Sequence, residues 1–421
     1  MASSEGQSSE SVSSATHMIA EKSPASSVKG SIHSSHKDPD WVSEKIEAIQ
    51  RACNRRDIEA LVTLATSEGG FLRDELRRLA WPMLLQSEPG TDEVLSPEDD
   101  LPVHRDEEQV QLDVKRSFVY YPECPDDELS SKKDELSRVI KRVLRNHPLL
   151  CYFQGYHDIV QVLLLVLGED QSASAVVRLS LLRIRDYMLP SLSPAVKHLQ
   201  LIPAIIEAAD KALNQRLSGI RPFFALSATL TLYAHDIQEY NDIARLFDFL
   251  LAWEPVVSIY LFVAIVLSRR EELLEIPADE PEMLHFTLSK LPQPLNLEGL
   301  ISRAVQLFKN YPPESLPLGA WSRISRYSVL KTTRDVLAPQ STNEAVELFI
   351  KQMKQLRVEE RRQQLAGFLW SHRRTIGSVA VAVLVGAMSV WIRKRGIDNT
   401  IFSYLGHLKT MFQNRFQVFG H

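Results

Sequence analysis

A long succession of helical apolar patterns, separated by prolines, constrains the fold of this 421-residue chain more than any other feature. From "PDWVSEKIEAIQRAC" onward, apolar residues recur at intervals of three and four, which is the period of one helix face. Asp57 is predicted to cap the second of these segments. Further helices are predicted over residues 71–86, 107–119, 129–146, 149–167, 171–188, 194–214, 223–234, 240–252, 255–275, 280–290, 297–310 and 343–364.

Signals for β-structure are scarce in the same region. No run alternates apolar and polar residues between Asn-Gly or Asp-Gly turns, and no repeat of fixed period occurs. The chain is long enough to bury a sizeable core. We therefore expect an all-α fold, with one large helical domain over residues 41–330 and a linker and helix over residues 331–374.

Both ends of the chain differ in composition from this domain. Residues 1–40 are rich in serine and poor in aromatic and β-branched residues, which predicts a disordered tail. Residues 375–392, "TIGSVAVAVLVGAMSVWI", carry no charge and are flanked by basic residues. Such a run is about long enough to span the ~30 Å hydrocarbon core of a bilayer. It predicts a single transmembrane helix with the large domain in the cytosol, and a buried helix of a soluble core is the alternative.

Two weaker membrane signals accompany this run. Ser378, Ala382 and Gly386 form a stripe of small residues, which predicts weak pairing of two such helices into a homodimer. Residues 393–421 carry apolar side chains at steps of three and four, which predicts a short amphipathic tail on the bilayer. The flanking charges are nearly equal, so the positive-inside rule does not decide the orientation.

Composition and motifs exclude several classes of function. The net charge of −5 and pI near 6.2 give no reason to expect a nucleic-acid partner. Cys53, Cys124 and Cys151 are odd in number and widely spaced, as in a protein of a reducing compartment. No phosphate-binding loop, zinc motif or nucleophile elbow occurs, so we expect no metal or cofactor of the protein's own.

Polar residues interrupt the apolar patterns at three places. Arg77 and Trp81 lie at i and i+4, where guanidinium and indole are predicted to stack on one helix face. Asp113 and Arg116 lie at i and i+3, where the carboxylate can hold the guanidinium in one orientation. Either pair alone is typical of an ordinary polar helix surface.

The third place is the stretch "CYFQGYHDIV" at residues 151–160, which leads into a strongly apolar run. Gln154 is followed by Gly155, a residue that lets another backbone approach closely. His157 and Asp158 are adjacent and point about 100° apart on a helix, which disfavours an acid–base couple. These two residues are left without a predicted role.

Taken together, the three motifs resemble the signature of the TBC domain, the all-helical GTPase-activating domain for Rab GTPases. They are R-x-x-x-W at 77–81, V-x-x-D-x-x-R at 110–116 and Y-x-Q-G at 152–155. The resemblance covers most of residues 70–275. It implies that the chain activates a Rab GTPase, which would itself carry GTP and magnesium.

The resemblance also implies roles for the residues of the motifs. Arg116 would act as an arginine finger, and Gln154 would enter in trans to orient the attacking water. Asp113 would orient the segment that bears Arg116, while Tyr152 and Gly155 would shape the approach of Gln154. The first motif, Arg77 with Trp81, would hold the domain together.

A domain of this kind followed by a membrane span is similar to a membrane-anchored subgroup of the family. That likeness implies a location on the endoplasmic reticulum or early Golgi and a role in traffic between them. Two alternatives keep other features of the chain. One is a catalytically inactive, membrane-anchored adaptor that binds a Rab, and the other is a membrane-shaping protein that acts through residues 375–421.

Overall fold

In a computed structural model of the chain, the structure describes residues 39–88, 95–372, 383–391 and 394. Regular secondary structure within these ranges is helical throughout, so the predicted all-α fold is confirmed. Residues 1–38, nearly all of the predicted N-terminal tail, lie outside the described residues, as do 395–421.

The helices fall into three groups along the chain. The first group is α1 Asp40–Arg55, α2 Ile58–Thr66, α3 Asp74–Leu85, α4 Glu107–Lys115, α5 Asp126–Asn146 and α6 Tyr156–Leu182. The second is α7 Ser193–Leu199, α8 Leu201–Ala209, α9 Lys211–Leu217, α10 Leu226–Leu230, α11 Tyr240–Ala252, α12 Val257–Ser268 and α13 Arg270–Glu275. The third is α14 Pro281–Leu288, α15 Leu297–Asn310, α16 Ala320–Arg323, α17 Val329–Thr332 and α18 Thr342–Ser371. Single 3₁₀ turns occur at Glu98–Asp100, Arg185–Met188, Pro222–Ala225, Pro313–Ser315 and Pro317–Gly319.

Helix α6 is the centre of the fold. It packs against α3, α5 and α18, and most of its residues are buried on all sides. It is also the one helix among the described residues that is long and apolar enough to cross a membrane, but about two thirds of its apolar stretch (67%) is buried inside the protein. A helix that is apolar all round is expected at the middle of a large core.

The predicted helix boundaries are wrong at three places near this centre. Helix α4 ends at Lys115 rather than 119, so Arg116 is the first residue beyond it. The predicted helix 149–167 begins only at Tyr156, because Gly155 has the left-handed backbone angle φ 97°. It then continues to Leu182 through a bend at Gly168, where φ is 73°, instead of ending before a separate helix at 171.

Three further predicted helices are broken into shorter elements, and one of them, residues 255–275, forms α12 and α13. Residues 194–214 form α7, α8 and most of α9, and Asp210 starts α9 anew by accepting a hydrogen bond from the backbone N–H of Leu213 at 2.9 Å. Residues 223–234 form a 3₁₀ turn, α10 and a turn in which Leu232 and Tyr233 have φ of 48° and 67°. The predicted cap at Asp57 is confirmed, since its carboxylate accepts from the N–H of Ala60 at 2.9 Å.

Arg77 and Trp81 do not act through a stacked pair, as the sequence predicts, but through a shared acceptor. Asp248 in α11 is fully buried and accepts from Arg77 Nε at 3.0 Å and from Trp81 Nε1 at 2.8 Å. It also accepts from the backbone N–H of Phe71 at 2.9 Å. The spacing of four residues therefore brings the Arg77 and Trp81 donors to the one carboxylate of Asp248, instead of stacking the two side chains.

Helix α18 is only partly included in the packed body. Ala345, Phe349 and Leu356 are buried against the core, so the body extends beyond the predicted range 41–330. Farther along the same helix, Leu365, Phe368 and Trp370 are exposed by 62%, 56% and 71%.

Half of the predicted transmembrane segment 375–392 lies outside the described residues. The part that is described, residues 383–391, is helical and exposes its large apolar side chains, from Val383 to Trp391.

Replacing Asp248 with Asn is expected to destabilise the fold by about 2 kcal/mol, because the charge-assisted hydrogen bonds of Asp248 are weakened and the buried Arg77 guanidinium keeps only Asp74, at 2.8 Å, as a counter-charge. Urea unfolding of a fragment of residues 39–372, followed by circular dichroism, measures the change. Asp279→Asn is the matched control, since Asp279 is exposed. Equal stability of the two variants would contradict the role assigned to Asp248.

Candidate functional site

Arg116 and Gln154 line the same cleft, which has a volume of about 580 Å³. One wall is the segment from Arg116 to Tyr121, which follows α4. The opposite wall is the segment 226–235, and the floor is formed by residues 153–158 at the start of α6. Two side chains that are 38 positions apart in sequence therefore face one opening.

The guanidinium of Arg116 is held at the edge of this cleft by Asp113. The Asp113 side chain is fully buried, whereas that of Arg116 is 64% exposed. Asp113 Oδ1 accepts from Arg116 Nη2, and also from Gln109 Nε2 at 3.0 Å. The i, i+3 pair that the sequence predicts is thus present, with its base in the core and its tip in the cleft.

The other oxygen of Asp113 ties this pair to the segment that bears Gln154. The Tyr152 hydroxyl donates to Asp113 Oδ2 at 2.9 Å, and the Tyr152 backbone N–H donates to Asp106 Oδ2 at 2.9 Å. Burial and the nearby Asp113 carboxylate raise the pKa of Tyr152, so its hydroxyl keeps its proton and remains a donor. Tyr152 therefore fixes the distance between the two motifs.

Gly155 determines how Gln154 is presented. Its φ of 97° is a conformation that residues with a Cβ rarely adopt. A Cβ at this position would lie 2.6 Å from Thr231 Cγ2, on the opposite wall. The backbone turns sharply here and leaves the Gln154 side chain exposed in the cleft.

A group of polar residues beside the motifs is connected in a way that the sequence does not predict. His157 Nδ1 lies 3.2 Å from the Tyr152 hydroxyl, and His157 Nε2 lies 3.2 Å from Asp158 Oδ1. Asp158 Oδ2 in turn lies 3.0 Å from His235 Nδ1. These contacts give His157 and Asp158 a place in a chain of polar groups that runs along the floor of the cleft.

The two histidines of this chain are shifted in opposite directions. Burial lowers the pKa of His157 below its ordinary 6.5, although Asp158 and Asp113 oppose the change. The hydrogen bond to Asp158 raises the pKa of His235 above 6.5. The adjacent His157 and Asp158 were visible in the sequence, but His235 lies 77 positions beyond Asp158 and no local pattern connects them.

No sequence motif predicts a role for Gln161. It is buried, and its Oε1 accepts from the backbone N–H of Phe118 at 2.9 Å. Phe118 has φ of 59°, a strained conformation for a residue with a Cβ. This hydrogen bond, from the Phe118 N–H to Gln161, therefore stabilises the turn that directs the chain away from Arg116.

Comparison with known proteins assigns the sequence that forms this site to a family. Residues 74–274 match the family model described as the Rab-GTPase-TBC domain. The two motifs at the cleft and the Arg77–Trp81 motif in the core all lie within that range. The chain belongs to the Rab-GTPase-TBC domain family.

Particular relatives share most of the chain. TBC1 domain family member 20 of Homo sapiens is 37% identical over 278 residues, which cover 65% of this chain and 69% of that protein. The Bos taurus protein of the same name gives the same figures. The GTPase-activating protein gyp10 of Schizosaccharomyces pombe is 35% identical over 317 residues, 74% of this chain and 84% of that protein.

Solved structures include more distant similarities. The Chlamydomonas flagellar RabGAP TBC domain aligns with a TM-score of 0.46 and 14% identity, over 64% of this chain and 96% of that one. The Ypt/Rab-GAP domain of Gyp1p aligns with a TM-score of 0.44 and 16% identity, over 63% and 93%.

The opposite shifts of the two histidines predict their order of protonation. On lowering the pH, His235 should bind a proton above pH 6.5 and His157 below it. Folding is therefore favoured by His235 at low pH, a contribution lost as pH rises through its folded pKa. His157 instead lowers stability as pH falls below 6.5.

An NMR titration of the histidine ring protons measures both pKa values. Asp158→Asn should lower both, because the Asp158 carboxylate raises the pKa of each ring. Protonation of His157 before His235 would contradict this arrangement of charges.

Proposed function

We propose that this protein is a GTPase-activating protein for a Rab-family small GTPase. The observation that carries the proposal is the joint position of Arg116 and Gln154, two exposed side chains that line one cleft and rest on a shared buried base at Asp113 and Tyr152. A mobile cation on a surface is common. A cation and an amide on segments that are joined through Asp113 and Tyr152 suit a reaction that needs both.

Hydrolysis of GTP spreads negative charge over the transferred phosphoryl oxygens and needs a well-placed water. The guanidinium of Arg116 would enter the nucleotide site of the GTPase and donate to these oxygens. Its planar fork offers paired donors, which an ammonium group does not. Such an arginine finger is worth about 10³- to 10⁵-fold in rate. GTP and magnesium belong to the partner.

The amide of Gln154 would orient the attacking water in place of the glutamine of the GTPase. It offers both a donor and an acceptor, as this role requires. Among the described residues no hydrogen bond holds the Gln154 side chain, so no such bond has to be broken when a partner docks. Gly155 and Tyr152 act on the backbone that carries it, and Arg77 and Trp81 serve the fold at Asp248.

We further propose that residues 375–392 anchor the protein in a membrane. Support comes from the charge-free run itself and from the exposed apolar side chains of residues 383–391 and of the last turns of α18. The likeness to a membrane-anchored subgroup supports a place on the endoplasmic reticulum or early Golgi. Rab proteins carry lipid anchors, so a shared membrane raises the effective concentration of the two partners.

Replacing Arg116 with Ala is expected to lower Rab GTP hydrolysis by about 10³-fold or more, because the positive charge at the phosphoryl oxygens is lost. Arg116→Lys should recover little of it, and Gln154→Ala should also abolish most of the acceleration. The fragment 39–372 is assayed against a panel of purified Rabs, with phosphate release as the readout.

Lys115→Ala and Gln306→Ala are the matched controls, since both residues are exposed and lie outside the cleft. A stimulated rate that stays within a few-fold of the parent in Arg116→Ala would refute the finger assignment. Rab binding by the parent without any acceleration would instead support the inactive adaptor.

Removing residues 373–421 is expected to release the protein from membranes without changing hydrolysis in solution. The full chain should float with phosphatidylcholine vesicles, and the chain that ends at residue 372 should not. Full-length Arg116→Ala is the matched control, which should float but remain inactive. Loss of hydrolysis on truncation would favour a membrane-shaping protein that works through its tail.

A further inference from the structure

A second groove lies between α18 and the segment of residues 322–331, which both follow the three motifs in the sequence. We call it the basic groove, and its volume is about 690 Å³. Six cationic side chains from the described part of the chain line it: Arg323, Arg326, Lys331, Lys351, Lys354 and Arg362. None of the residues that line the Arg116 cleft takes part.

The positive charge of this groove is poorly compensated. Of the residues described, Glu359 is the single carboxylate in its lining, and it accepts from Lys197 Nζ at 2.6 Å and from Gln355 Nε2 at 2.7 Å. Lys351 has Glu347 at 3.3 Å on the helix surface, where such a pair contributes little. A chain with a net charge of −5 thus concentrates cations at one place.

The face of α18 that forms the groove also exposes apolar side chains. Lys351, Lys354, Val358, Arg362 and Leu365 follow one another at steps of three and four, so they share one helix face. Val358 is 47% exposed and Leu365 is 62% exposed. Basic and apolar side chains together on one helix face are typical of a helix at a membrane surface.

We propose that the basic groove binds the phosphate groups of anionic phospholipids in the bilayer that carries the protein. This inference rests on the membrane attachment proposed above. An acidic polypeptide would pair with the cations, but it gives no reason for the exposed Val358 and Leu365. Anionic headgroups above acyl chains satisfy both, and they place α18 against the bilayer surface just before the predicted membrane span.

The full chain in lipid nanodiscs tests the inference. Discs of phosphatidylcholine alone are compared with discs that also contain phosphatidylglycerol, and exposed lysines are acetylated by an N-hydroxysuccinimide ester and quantified by mass spectrometry. Each basic residue near an anionic surface contributes about a fivefold factor in affinity, so labelling of Lys351 and Lys354 should slow by about fivefold or more in the anionic discs. Lys309 on α15, which lies outside the groove, is the internal control and should be unchanged.

Arg323→Glu combined with Arg362→Glu should abolish the slower labelling of Lys354. Both residues are exposed, and they lie on opposite walls of the groove. Arg303→Glu combined with Arg357→Glu makes the same change of charge outside the groove and should preserve the effect.

Three results would overturn the inference. Equal labelling in both kinds of disc would assign the groove to an acidic polypeptide, and slower labelling of Lys309 as well would mean a general attraction to negative charge. Failure of the chain to enter even neutral discs would overturn the membrane attachment itself. Rab GTPase activation is measured separately, in solution, and does not depend on any of these results.

Discussion

The rest of the structure depends on one buried carboxylate, that of Asp248. It accepts from Arg77, Trp81 and the backbone of Phe71, and these donors fasten α3 and the loop before it to α11, 171 positions away from Arg77. Helix α3 packs in turn against α6, the central helix that leads away from the cleft. A buried charge is costly unless it is paired and fully hydrogen-bonded, so these contacts permit few other arrangements. The position of Gln154 at the start of α6 is thus secured from the far side of the core.

The cleft that holds Arg116 and Gln154 also depends on a buried carboxylate with several donors, but with one difference. Asp113 is as buried as Asp248 and also accepts several donors, but one of them, Arg116, reaches into solvent. If the guanidinium turns from Asp113 towards a phosphate, Gln109 and Tyr152 still satisfy the carboxylate. The buried charge is then not left without partners, and the movement of Arg116 costs less than the rupture of an isolated buried pair. A rigid base and a releasable tip are both obtained from one aspartate.

Local patterns predicted the parts of the structure that local forces determine. The all-helical fold, the cap at Asp57 and the contact between Asp113 and Arg116 depend on residues within four positions of each other. Interactions between distant segments were not predictable in this way, as Asp248 and His235 show. The break after α10 occurs at Leu232 and Tyr233, which both have positive φ angles. Residue type does not favour these angles. They accompany a distant contact, in which the Tyr233 hydroxyl donates to the Ser258 carbonyl at 2.7 Å. Apolar periodicity continues through such a break and therefore predicts a helix there.

Helix α18 has a mechanical consequence. It is continuous over 30 residues, and its exposed part beyond Arg362, the last of its residues that lines the basic groove, extends from the body as a rod of about 14 Å, at 1.5 Å per residue. A flexible linker would let the domain take any orientation relative to the end of the linker. A rod that is packed into the core at one end instead fixes the orientation of the domain relative to its far end. Whatever holds the far end therefore also sets the height and tilt of the Arg116 cleft. A partner held at the same surface would then be found by diffusion in two dimensions. The same face of the domain would be turned towards that partner at each encounter.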